Sequence, residues 1–210
     1  MQCGPKNLAI VANEEDITLV HISTDYVFGG DKPTNETYKE DEEKNPVTVY
    51  GITKLEGEKA IQENCSKYYI FRTAWLYGEG NNFVRTMIKL GKEKEEISVV
   101  DDQHGSPTYA VDLASIIHQS IQKQIPYGIY HATNRGFTTW YEFTKEIFEK
   151  AGVYCKVNPV STEEYIERMK ITQAKRPKNS KLSKEKLLNT GIEISEYKDA
   201  LDRYLKKELD

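Results

Sequence analysis

Tyr50 and Lys54 are the pair of side chains in this sequence best suited, by type and spacing, to move a proton. Residues four apart on a helix share a face, one turn from each other. A free phenol has a pKa of about 10 and exchanges protons poorly near neutral pH unless a cation favours its ionised form. Lys54 can be that cation. Any lysine-rich helix produces this spacing by chance, so the neighbouring stretches decide whether it carries chemistry. Asn45 to Lys59 predicts a helix opened by Pro46, and Thr18 to Gly30 is an apolar, β-rich run ending in hydroxyls, an aspartate and a glycine pair. The carboxyl end of a buried parallel strand is where open α/β sheets hold their ligands.

Three motifs occur in order: Ser23-Thr24-Asp25-Tyr26-Val27-Phe28, then Tyr50-Gly51-x-x-Lys54-Leu55-x-Gly57-Glu58, then Phe71-Arg72-Thr73-Ala74-Trp75-Leu76-Tyr77-Gly78. Asn81-Asn82-Phe83, Asp102-Gln103-x-Gly105-x-Pro107-Thr108 and Arg176-Pro177-x-Asn179-Ser180 follow them. Together they resemble the extended short-chain dehydrogenase/reductases, and among these the dTDP-4-dehydrorhamnose reductases, over nearly the whole chain. The resemblance implies reduction of a nucleotide-sugar ketone by NADPH or NADH. Tyr50 would be the proton donor. Lys54 would lower its pKa and hold the nicotinamide ribose, so that both bind cofactor, and Thr24 would polarise the carbonyl beside the tyrosine. For the substrate, the resemblance implies that Asp25 and Tyr26 border the sugar, that Trp75 offers it an indole platform, and that Asn82 and Phe83 meet the nucleotide-sugar end. Gln103 and Thr108 would form the second wall, with Arg176 facing the diphosphate.

The elements that must position these residues read as a partial alternation of strands and helices. Met1–Asp16 predicts a helix with Leu8, Val11 and Ala12 on its apolar stripe. Strands are expected at 18–22, 67–73, 97–100, 128–132 and 155–160. Helices are expected at 83–94, at 111–122, after Thr138 or Thr139 as far as Gly152, from Ser161, and around 184–188 and 195–209. The predicted class is α/β: part of a Rossmann-like parallel sheet, with an attached small α+β substrate-binding lobe that is mostly helical. The expected division is 1–135 and 136–210, with segments interleaved. Trp140 reads as packing and His21 as a strand residue.

A dinucleotide-binding fold is expected to open with a strand and a glycine-rich turn whose amides hold the pyrophosphate. No such turn occurs here; Gly78-Glu79-Gly80-Asn81-Asn82-Phe83 lacks the third glycine and reads as a substrate-side loop. The resemblance therefore implies that the first βα units are missing. Cofactor binding by this chain alone is then expected to be poor, and its partners to include the dTDP-sugar and either a separately encoded N-terminal half or a second copy.

With 210 residues, 38% hydrophobic and 30% charged, the chain has enough material for one core and a small subdomain. Net charge is −4, and the basic run Lys175 to Lys181 lacks the interleaved aromatics of a nucleic-acid patch. No apolar run is long enough to span a bilayer and the first residues lack the basic-then-apolar pattern of a secretion signal, so a cytoplasmic location is expected. Cys3, Cys65 and Cys155 are odd in number and far apart, and the four histidines lack ligand spacing, which argues against disulfides and a metal site. Two other classes fit the same residues: a non-catalytic nucleotide-sugar-binding or regulatory module, and a sugar-nucleotide epimerase or dehydratase, which Asp25 after Thr24 leaves open.

Overall fold

The computed structural model describes residues 3–170 and 176–209; Met1, Gln2 and Lys175 lie outside them. In chain order, α1 (Cys3–Glu14) leads into β1 (Leu19–Thr24), a 3-10 turn (Asp25–Val27), α2 (Val49–Asn64) and β2 (Tyr68–Thr73). Next come β3 (Leu76–Tyr77), α3 (Phe83–Glu93), β4 (Glu96–Val100), β5 (His104–Gly105), β6 (Thr108–Tyr109), α4 (Ala110–Gln122) and β7 (Gly128–His131). The chain continues through β8 (Thr138–Thr139), α5 (Trp140–Ala151), β9 (Lys156–Val160), α6 (Thr162–Met169), α7 (Glu185–Leu188) and α8 (Tyr197–Leu209).

β1, β2 and β7 form a parallel sheet in that spatial order, with Thr24 opposite Thr73 at the carboxyl end. β2 is central and almost entirely buried, which explains its near-continuous apolar run. β1 is partly to fully buried along its length and, among the described strands, pairs only with β2, so its other edge is open. α1 presents Ala9 and Ala12 to Ile61 of α2 and Ile70 of β2, while Leu8 and Val11 face outward at 60% and 54% exposure. The expected apolar stripe of α1 is therefore split between two faces. Small alanines allow its close approach to α2, and the larger side chains lie on the opposite surface.

A second core gathers around Val84, Met87, Phe143, Ile147, Leu201 and Tyr204, from α3, α5 and α8. β4 pairs in parallel with β9 at its edge. Thr139 caps α5 through its hydroxyl, and Gly152 ends it at φ 63°, a left-handed turn that glycine adopts without a Cβ clash. Ser161 and Glu164 form a reciprocal capping box on α6.

α2 begins at Val49, three residues later than the Pro46 opening predicted, because the Thr48 hydroxyl accepts the Gly51 N–H and fixes the cap there. Gly51 has a specific reason to be glycine. A Cβ at this position would lie 2.2 Å from the carbonyl oxygen of Tyr26, which is backbone and has little room to move. Gly51→Ala is expected to push α2 off the end of β1, lowering the thermal midpoint by several degrees in a calorimetric melt.

Candidate active site

The carboxyl end of β1 turns straight into the 3-10 segment, because Thr24 Oγ1 accepts the Tyr26 N–H at 3.2 Å and caps it. That turn aims Asp25 inward and leaves Tyr26 half-buried beside Tyr50, ring centroids 5.6 Å apart and edge to face. Tyr50 itself is 53% exposed. Lys54 folds back along the strand end, donating from Nζ to the Ile22 carbonyl at 2.6 Å, and its burial holds the ammonium pKa below the usual lysine value. The two α2 residues thus flank the end of β1 from one side.

A buried ion pair anchors this arrangement. Arg72 of β2 meets Glu58 of α2 through Nη2 to Oε2 at 2.7 Å and Nε to Oε1 at 3.0 Å, both side chains being almost wholly shielded from solvent. Ser23 also donates to Glu58, and Arg72 Nη1 reaches the Glu40 carbonyl at 3.1 Å. Helix, both strands and the following loop are locked together one turn beyond Lys54.

Two adjoining cavities lie in front of the strand ends. The smaller, about 180 Å³, is lined by Asp25, Tyr26, Trp75, Gln103, Trp140, Arg176, Pro177 and Ser180. The larger, about 440 Å³, is more apolar; Phe83, Met87, Leu90, Val99 and Tyr165 join Gln103, Trp140 and Arg176 there. The three shared residues mark the passage between them. A larger hollow of about 620 Å³, by Lys39, Gln62 and Lys186, contains none of the residues predicted for the site.

Trp75 sits at φ 50°, a left-handed conformation costly for a bulky residue. Its ring is stacked on Trp140 with centroids 3.7 Å apart, and Gly105 gives it room, since a Cβ there would lie 2.7 Å from the indole. One indole face is therefore taken by another tryptophan instead of being open to a sugar. Trp140, predicted as packing, lines both cavities and also meets Phe83 at 4.3 Å.

Asp25, Tyr26, Trp75, Phe83, Gln103 and Arg176 all line one or both cavities, and Thr24 lies directly behind, donating to Asp25 at 3.1 Å. Asn82 and Thr108 do not reach them. Asn82 caps α3, accepting the Arg85 N–H and donating from Nδ2 to the Gly78 and Gly80 carbonyls and to Tyr204. Thr108 is fully buried in β6. Residues added by the structure include Trp140, Tyr165, Pro177 and Ser180, with Met87, Leu90 and Val99 on the apolar wall. Burial raises Asp25 to a pKa of about 6, against the opposing pull of hydrogen bonds from Ser180 and Thr24 and of the Arg176 charge.

The donor set at the end of β1 suits the nicotinamide and ribose end of a dinucleotide: an exposed phenol, and an ammonium held against the strand. Among the described residues no glycine-rich turn offers amides to a pyrophosphate. No group of three or more His, Cys, Asp or Glu side chains suited to a metal ion occurs among the described residues, and none of the described helices is long and apolar enough to cross a membrane.

The family described as RmlD substrate binding domain matches residues 2–209. A dTDP-4-dehydrorhamnose reductase of Escherichia coli is 42% identical over 94% of this chain and 68% of its own length. The crystal structure of a dTDP-4-dehydrorhamnose reductase from Clostridium acetobutylicum superimposes with a TM-score of 0.92 at 47% identity, over 99% of this chain and 71% of that one. One from Bacillus anthracis, in complex with NADP, does so with a TM-score of 0.89 at 44% identity, over 98% of this chain and 71% of that one. The chain spans about two thirds of the length of these relatives. It belongs to the RmlD substrate-binding-domain family, the family of the dTDP-4-dehydrorhamnose reductases.

Proposed function

We propose that this chain is the substrate-binding and proton-donating part of a dTDP-4-dehydrorhamnose reductase, reducing the C4 ketone of dTDP-4-dehydro-L-rhamnose to give dTDP-L-rhamnose. The observation that carries the reading is the pair of cavities joined at Gln103, Trp140 and Arg176, opening at one end onto Asp25 and Tyr26. An apolar slot with aromatic walls suits a base and its sugar. The Arg176 guanidinium at the passage suits the diphosphate, which it can grip through two parallel donors. The hexose then occupies the smaller cavity, with its C4 toward Thr24.

A reduced nicotinamide, when bound, supplies the hydride. Tyr50 gives its hydroxyl proton to the oxygen left at C4, and Thr24 steadies that oxygen by hydrogen bonding. Lys54 stabilises the phenolate that remains and holds the ribose hydroxyls. The other cofactor contacts come from a βα segment, on the same or a separately encoded chain, paired along the open edge of β1. The unpaired edge and the outward-facing Leu8 and Val11 support that placement. Dependence on reduced nicotinamide puts the reaction in the cytoplasm.

The test is to join this chain to the N-terminal segment of the Bacillus anthracis relative and supply NADPH with dTDP-4-dehydro-L-rhamnose. NADPH consumption matched by dTDP-L-rhamnose is expected. A hybrid that binds NADPH but leaves the ketone intact, or yields an epimerised or dehydrated sugar, would show the reading to be wrong. Trp140→Ala removes the stack on Trp75 and the contact with Phe83. It is expected to weaken dTDP-L-rhamnose binding by about 10- to 30-fold, measured by calorimetry.

A further inference from the structure

The strand end that carries Thr24 is tied to the loop that carries Arg176 by a chain of side-chain hydrogen bonds. Ser180 Oγ donates to Asp25 Oδ2 at 2.5 Å, and Thr24 Oγ1 donates to Asp25 Oδ1 at 3.1 Å. Thr24 Oγ1 also accepts the Tyr26 N–H at 3.2 Å. A hydroxyl has one proton and two acceptor lone pairs. With its proton given to Asp25 and one lone pair taken by Tyr26, Thr24 retains a single lone pair. In that state it can accept a hydrogen bond from a ligand hydroxyl and has none to give to a ligand carbonyl.

Ser180 is well held for such a role. Its own N–H donates to the His104 carbonyl at 2.7 Å, and the preceding Asn179 donates from Nδ2 to the carbonyls of Pro33 and Glu36 at 2.9 and 3.1 Å. Asp25 and Ser180 both line the smaller cavity. The charged and titratable groups facing Asp25 are Arg176 and Tyr26, with Tyr50 beyond Tyr26.

We infer that Ser180 is a positioning residue which, through Asp25, sets whether Thr24 accepts or donates a hydrogen bond at C4 of the sugar. This rests on the reductase reading of the same site. With Asp25 ionised, Thr24 accepts from the C4 hydroxyl of the product. When Asp25 takes a proton from solvent, the carboxylic acid donates to the Thr24 oxygen, and the released Thr24 proton turns toward a C4 ketone oxygen. A ketone has no proton to give and needs Thr24 as donor, whereas the product hydroxyl, whose oxygen already accepts from Tyr50, has its own proton to place and favours Thr24 as acceptor. The two redox states of the sugar therefore favour opposite protonation states of Asp25.

The probe is dTDP-L-rhamnose, whose esterified diphosphate keeps its charge across the range used. Its Kd, measured by calorimetry on the full chain, is expected to fall about tenfold between about pH 5 and about pH 8, as the ionised fraction of Asp25 rises. In Asp25→Asn that pH dependence should vanish. Ser180→Ala removes a bond to the ionised form, so the Asp25 carboxyl, followed by carbon-13 NMR, should titrate at higher pH than in the parent chain. A Ser180 that served only the loop's structure would weaken binding equally at every pH and leave that titration in place. A pH-independent Kd in the parent chain, or an unmoved carboxyl in Ser180→Ala, overturns the inference. Absence of dTDP-L-rhamnose binding at any pH would instead overturn the reductase reading, and the NMR titration would still decide whether Ser180 governs Asp25.

Discussion

Tyr50→Phe, made in the joined reductase, is expected to lower kcat by about 10²- to 10⁴-fold, the usual contribution of a positioned general acid. The phenol is the exposed hydroxyl on the α2 face beside the strand end, with Tyr26 edge-on to its ring. Phenylalanine keeps that ring contact and removes only the transferable proton. Binding of dTDP-L-rhamnose should therefore stay within about threefold of the parent, since the loss falls on the transition state and not on the ground state. Rapid-quench or steady-state rates beside calorimetric Kd values separate the two. A variant with kcat within threefold of the parent would move the proton donor elsewhere.

Glu58→Ala is expected to destabilise the chain by about 3–5 kcal/mol, because it leaves the Arg72 guanidinium buried without its counter-charge. Three donors lose their acceptor at once: Nε and Nη2 of Arg72, and the Ser23 hydroxyl. Desolvation dominates here, and direct attraction does not set the size of the effect. Replacing both partners with methionine should accordingly cost less than Glu58→Ala alone. Chemical denaturation of the two single variants and the double variant tests this. A double variant as unstable as the sum of the singles would show that the two residues act independently, through their separate contacts to Ser23 and the Glu40 carbonyl, and that burial of a lone charge is not the cause. The consequence reaches function, since Glu58 lies one turn from Lys54 and fixes the helix that carries Tyr50.

Much of this arrangement was legible because its signals are local. The hydroxyl-rich end of β1, the four-residue spacing on α2 and the apolar run of β2 are each written in a few consecutive residues. The start of α2 was misplaced because a proline at first-turn position competes with a threonine cap, and here the Thr48 hydroxyl wins. Trp140 read as packing because its partner, Trp75, is distant in sequence, and nothing in a lone tryptophan at a helix start announces a stack. Asn82 and Thr108 stand in the right motifs, yet the backbone claims Asn82 as a cap and β6 buries Thr108. The Arg72–Glu58 pair left a usable signal that went unread: an arginine inside a strand of tyrosines, isoleucine and phenylalanine must find a buried acid. Leu8, Val11 and Ala12 share one stripe by periodicity, which fixes the spacing of a stripe but not which side of a helix the fold covers, and here only Ala12 of the three is buried.

Whether these residues form the sugar-nucleotide half of a reductase is decided by calorimetric titration of the chain with dTDP-L-rhamnose and, separately, with NADPH. Saturable one-to-one binding of the sugar nucleotide is expected, weakened at least tenfold in Arg176→Ala, together with far weaker binding of NADPH. Tight NADPH binding with no response to dTDP-L-rhamnose would contradict that assignment.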